Sequence, residues 1–133
     1  MIYENNIIAS VESSDGVSFQ TYVEVAIVGA GACGLTAALA AKEKTDDIII
    51  LERDSMPAGS TALSSGFIPA AGTMAQKEKG ISDSAKVFEE DISKKANGRQ
   101  DKELANIVAY KSGKVLDWLS LNHDINWFVI DNF

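Results

Sequence analysis

A chain of 133 residues, 46% hydrophobic and 23% charged, is one domain's worth of sequence and can build a core. Its net charge of −7 argues against nucleic acid or an anionic membrane surface as the main partner. The one cysteine, Cys33, excludes an internal disulfide and a multi-cysteine metal site, and no run approaches the ~20 apolar residues of a membrane span.

The first four residues, Met1-Ile2-Tyr3-Glu4, lack the basic start and long apolar run of a secretory signal, so a cytoplasmic protein is expected. Residues 1–22 read either as a short β extension or as a partly ordered tail. In the first reading, Ile7 to Val11 and Val17 to Val23 pair around Ser13-Ser14-Asp15-Gly16, whose Asp-Gly step suits a hairpin turn.

The densest signal follows. A β-branched run (Val23, Val25, Ile27, Val28) stops at Gly29-Ala30-Gly31-Ala32-Cys33-Gly34, and an alanine-rich helical pattern takes over at once. Glycines at this spacing mean little alone, but here they stand at a strand-to-helix turn. Gly29 permits the tight turn, Gly31 lets backbone approach a pyrophosphate, and Gly34 lets helix pack closely on strand. The free N–H groups and positive end of that helix would face two phosphates. The helix is expected from about Ala32 to Lys44, with Ala37, Ala38, Ala40 and Ala41 for close packing and Leu35 and Leu39 one turn apart. Ile48 to Leu51 reads as a second buried strand ending at Glu52, 21 residues after Gly31, where a carboxylate can accept hydrogen bonds from ribose hydroxyls. The order strand, turn, helix, strand, acid predicts an α/β fold with a Rossmann-like dinucleotide-binding βαβ unit and a parallel sheet. A packed βαβ unit without ligand is the rival reading, and the turn with Glu52 does not separate FAD from NAD.

From Arg53 to Thr73 the chain is rich in Gly, Ser, Thr, Ala and Pro and has no clean period. Such a length is uncommon for a plain connection and is often functional. Two helices are predicted next. Ser82 or Asp83 caps one that runs to about Ala96 with Val87, Phe88 and Ile92 on a face, and Asn97-Gly98 ends it. Asp101 caps the other, whose face is Leu104, Ile107, Val108, Val115, Trp118 and Leu119. Leu121 to Asp124 is expected to turn and Trp127 to Ile130 to form a strand. His123 reads as a solvent-exposed helix end, Trp118 and Trp127 as core anchors, and Cys33 as a small residue that fits its turn. Glu89, Glu90 and Asp91 read as a solvated face. No metal ligand set is expected.

These motifs resemble the FAD-binding part of the fumarate reductase and succinate dehydrogenase flavoprotein superfamily, and more narrowly soluble fumarate reductases, flavocytochrome c proteins and 3-ketosteroid dehydrogenases. The resemblance covers about residues 22–131. It rests on residues 29–38, on Glu52-Arg53-Asp54, on Ala58-Gly59-Ser60-Thr61-Ala62-Leu63-Ser64-Ser65-Gly66, and on the helical stretches 88–91, 101–104 and 115–119. Ala58 stands where the family often has a second glycine.

The resemblance implies FAD as cofactor. Gly29, Ala30, Gly31, Cys33 and Gly34 would hold its pyrophosphate, Glu52 the adenosine ribose, and Arg53 would lie beside the adenine. Ser60, Thr61, Ser65 and Gly66 would line the pyrophosphate, ribitol and flavin. It also implies hydride transfer between flavin and a C–C bond next to a carbonyl or carboxylate. Members of the family run to several hundred residues, with a capping domain and distant catalytic segments. Residues 1–22 are therefore expected to be an extension or tail, and residues 23–133 the N-terminal part of an FAD-binding domain whose capping domain is absent. No catalytic residue is expected in the chain, and no turnover by it alone. Its expected partners are FAD and either the remainder of the flavoprotein or another copy of itself.

Overall fold

The computed structural model describes residues 13–57 and 59–130. Among the described residues, two strands and five helices follow one another as β1 (Val25–Val28), α1 (Ala32–Lys42), β2 (Ile48–Leu51), α2 (Ser60–Leu63), α3 (Met74–Glu78), α4 (Ala85–Lys95) and α5 (Lys102–His123). The chain divides into two compact units, one ending at Gly66 and one beginning at Phe67.

In the first unit β1 and β2 are parallel, with Val25 opposite Ile48 and Val28 opposite Leu51, and α1 is the crossover between them. The strand bounds follow the β-branched runs, which suit a pleated surface. α1 packs on the sheet with Gly34 against the end of β1, where a Cβ would overlap the Gly29 carbonyl oxygen and touch Ile27. The helix ends at Lys42 rather than Lys44. Lys42 then pairs with Asp46 at 2.6 Å across the turn, an exposed pair worth little to stability. The strands are less covered than the buried strands expected from the sequence, since Val28 is 86% and its partner Leu51 50% exposed. Two strands and one helix shield one face only.

Ahead of β1, Ser14 to Val17 closes the expected Asp15-Gly16 turn, with the Val17 amide donating to the Ser14 carbonyl at 3.0 Å. Residues 17–23 carry no strand. The proposed pairing partner, Ile7 to Val11, lies outside the described residues.

In the second unit α4 and α5 pack together. Ser84, not Ser82 or Asp83, caps α4, its hydroxyl accepting from the Val87 amide at 3.3 Å, while Asp83 accepts from the Ser84 amide instead. Asp101 caps α5 as expected, accepting from Leu104 at 3.0 Å. The buried stripe of α5 differs from the expected one. It is Ala105, Ala109, Gly113, Leu116 and Leu119, whereas Leu104, Ile107, Val108 and Val115 are exposed. Small residues let residues 71–73 lie directly on the helix, and a Cβ on Gly113 would overlap the Ala71 carbonyl oxygen.

The sequence reading missed α3. Thr73 and Gln76 form a reciprocal capping box, and Asp117 of α5 accepts from the Met74 amide at 2.9 Å. The expected strand at Trp127 to Ile130 is absent. After Asp124 takes a left-handed conformation (φ 54°), the chain folds back along α5, and the Trp127 indole N–H donates to the Leu116 carbonyl at 3.0 Å. His123 is likewise not a solvated end. Its ring packs edge-on against Trp118 with centroids 4.6 Å apart, and its Nε2 is buried.

Candidate functional site

The glycine turn, the start of α1, the end of β2 and the loop around α2 all belong to the first unit. Seven consecutive backbone amides, from Gly29 to Leu35, decide what the turn can bind. Gly29 has φ +96°, a conformation glycine adopts at little cost, and its N–H continues the sheet ladder to the Leu51 carbonyl at 2.7 Å. The Ala30 N–H donates to Glu52 Oε2 at 2.8 Å. The Ala32 N–H donates to Thr61 Oγ1 at 3.1 Å, and the Leu35 N–H closes the first helical turn on the Gly31 carbonyl at 3.0 Å. Among the described residues, the amides of Gly31, Cys33 and Gly34 meet no protein acceptor. They stand at the positive end of an eleven-residue helix, where anions are stabilised.

The five turn residues predicted to grip a pyrophosphate are thus brought together but fall into two groups. Gly29 and Ala30 spend their amides inside the protein and fix the shape of the turn. Gly31, Cys33 and Gly34 leave theirs without a protein acceptor among the described residues. Gly31 is extended (φ −75°, ψ 178°), and a Cβ there would sit 3.5 Å from Thr61 Oγ1, an ordinary contact. Neither backbone conformation nor packing inside the chain requires glycine at this position.

Glu52 follows β2 directly and reaches back to the turn. Its second oxygen, Oε1, accepts from the Asp54 amide at 3.1 Å. The backbone N–H groups of Ala30 and then Asp54 hold its carboxyl below the ordinary glutamate value. Two of about four lone-pair directions are occupied, so capacity remains for hydroxyl donors. A carboxyl with a depressed pKa adds stability that is full above the ordinary value, about pH 4.3, and is lost as the pH falls through the folded value. Glu52→Gln is therefore expected to lower the thermal unfolding midpoint at pH 7. The gap to the unsubstituted protein should close as pH drops below about 4.3. A gap independent of pH, followed by circular dichroism, would contradict this account of the carboxylate.

Arg53 pairs with its neighbour Asp54 at 3.2 Å and is exposed, its guanidinium held above its ordinary value by that carboxylate. The loop at 59–66 carries Ser60 and Thr61 on the single turn of α2. Of these two, only Thr61 reaches the glycine turn through a hydrogen bond. Ser64, read from the sequence as one of the loop's hydroxyl donors with Ser60, Thr61 and Ser65, organises the loop: its hydroxyl donates to the Thr61 carbonyl at 2.8 Å and accepts from the Gly66 amide at 3.2 Å. Its signal was the serine two residues before a glycine, a local turn motif. Gly66 has φ +77°, and Ser65 is exposed beside it.

A family model described as FAD binding domain matches residues 24–129 of this chain. The chain belongs to the FAD binding domain family. Relatives bear this out. Urocanate reductase of Eggerthella lenta is 32% identical over 113 residues, covering 85% of this chain and 19% of the relative. Fumarate reductase (cytochrome) of Shewanella frigidimarina is 32% identical over 98 residues, covering 74% and 17%. The acrylate reductase flavoprotein subunit of Shewanella woodyi is 35% identical over 103 residues, covering 77% and 20%. The chain thus spans a fifth or less of the length of these three relatives. It is fumarate reductase-like in sequence, and its cofactor is FAD. The three unpartnered amides and the adjacent carboxylate fit the pyrophosphate and ribose of that dinucleotide in chemistry and in order along the chain. No helix among the described residues is long and apolar enough to cross a membrane.

Proposed function

We propose that this chain grips the adenosine diphosphate half of FAD within an oxidoreductase acting on a C–C bond next to a carbonyl or carboxylate. The observation that carries the reading is the set of free amides on Gly31, Cys33 and Gly34, beside a turn that Glu52 holds in shape. In this reading, β1, α1 and β2 open a Rossmann-like sheet, with the phosphates on the N-terminus of α1 and the ribose hydroxyls on Glu52. Arg53 lies beside the adenine, and Ser60, Thr61, Ser65 and Gly66 carry the cofactor on toward its flavin. FAD supplies the hydride chemistry when bound, and the protein orients and tunes it. Fumarate, urocanate and acrylate, named in the relatives, each join an alkene to a carboxylate, which supports the substrate class.

No residue of this chain is assigned a catalytic role, so the chain alone binds FAD and turns nothing over. FAD titrated into the purified protein should quench stoichiometrically, and fumarate or enone reduction by a reduced dye should stay at background. Failure to bind FAD would overturn the first half of that statement, and turnover the second. A colourless oligomer would instead favour a cofactor-free scaffold that associates through its uncovered sheet face, where Val28 is 86% exposed.

A further inference from the structure

We propose that Thr61 is a positioning residue, its hydroxyl fastening the second small-residue loop to α1 so that both loops meet one FAD as a single preformed wall. The inference rests on the FAD reading above. The Ala32 amide and Thr61 Oγ1, 29 positions apart in sequence, lie 3.1 Å from each other. Among the described residues no other hydrogen bond ties residues 59–66 to the glycine turn. The remaining bonds of this loop are local: Ala62 and Leu63 donate to the Gly59 carbonyl, and Ser64 to Thr61. A helix of four exposed residues is far below the length that is stable by itself, so its position has to come from a bond to something else.

The placement of the tie is specific. Glu52 holds the amide just before Gly31 and Thr61 holds the amide just after it. Gly31 is left between them with its own N–H unpartnered and no side chain in front of it. A hydroxyl that accepts from an N–H keeps its O–H hydrogen to donate. Thr61 therefore closes one side of the seat and still offers a donor toward it. It acts on the cofactor through Ala32 and the path of the loop.

The test compares Thr61→Val, which keeps the branched shape and loses the hydroxyl, with Thr61→Ser, which keeps the hydroxyl. Amide hydrogen exchange at Ala32 is read by NMR in the protein without FAD, and FAD affinity by fluorescence titration. Thr61→Val should speed Ala32 exchange and weaken FAD about tenfold each, the size of one net hydrogen bond, while Thr61→Ser restores both. Unchanged Ala32 exchange in Thr61→Val would show that the tie does not exist. Faster exchange with unaltered FAD affinity would show that it positions nothing. If the unsubstituted protein fails to bind FAD, the FAD reading falls and the positioning role with it, while the exchange comparison still decides whether the tie exists.

Discussion

Gly31→Val should cost FAD binding at least about 100-fold while the protein stays folded. The two halves of this expectation come from different observations. The fold tolerates the change because Gly31 is already extended, the region β-branched residues favour. A Cβ there meets Thr61 Oγ1 at 3.5 Å, an ordinary distance. Binding is not expected to tolerate it, because a side chain at Gly31 adds bulk where a phosphate would approach the unpartnered amides of Gly31, Cys33 and Gly34. An amide bond to a charged oxygen is worth about 1.5–3 kcal/mol, so losing even one or two reaches the stated factor. Fluorescence titration with FAD measures the first half and a thermal melt the second. Gly31→Ala adds only the Cβ and should fall between. Retained affinity in both variants would mean that the phosphates sit elsewhere.

The contrast with Gly34 shows why one motif letter hides several physical demands. At Gly34 a Cβ would overlap the Gly29 carbonyl, so packing inside the chain already explains the glycine. At Gly29 the positive φ explains it. The sequence reading gave each glycine its own demand, and the geometry bears out the turn at Gly29 and the close packing at Gly34. The turn, both strands of the unit, the caps at Asp101 and Asn97-Gly98, and the place of Glu52 were legible because each rests on local chemistry within a few residues. The bond from Glu52 to Ala30 was not legible, since it spans 22 positions and depends on where the β2 end comes to rest. The same holds for Thr61, which no spacing rule connects to Ala32.

Periodicity failed for a different reason on α5. Large apolar residues at helical spacing pointed to Leu104, Ile107, Val108, Val115, Trp118 and Leu119; Leu119 is buried as expected, but the rest of the buried stripe is Ala105, Ala109, Gly113 and Leu116. Hydrophobicity ranks leucine over alanine at any position. Close approach of backbone to helix ranks them the other way, because only small side chains admit it. Residues 71–73 supply that close backbone, and the Thr73 capping box, legible as Thr-x-x-Gln yet hidden in a stretch read as loop, fixes their path.

That packing makes Gly113 a sensitive position of the second unit. Gly113→Val should destabilise the protein by about 3 kcal/mol or more, read as a shift of the urea midpoint. Its Cβ would overlap the Ala71 carbonyl oxygen, which is backbone and cannot rotate aside, and would lie 3.7 Å from Thr73 Cγ2. Relief would require residues 71–73 to lift off the helix. Lifting would strain the Thr73 cap of α3 and the bond from the Met74 amide to Asp117. Burial, capping and a part-buried hydrogen bond would then fail together, which is why the cost should exceed that of one misplaced methyl group. The same substitution at Lys114, one residue on and exposed, carries only the helix-propensity difference and should stay below about 1 kcal/mol. Equal midpoints for the two variants would show that the helix does not seat the 71–73 backbone at Gly113.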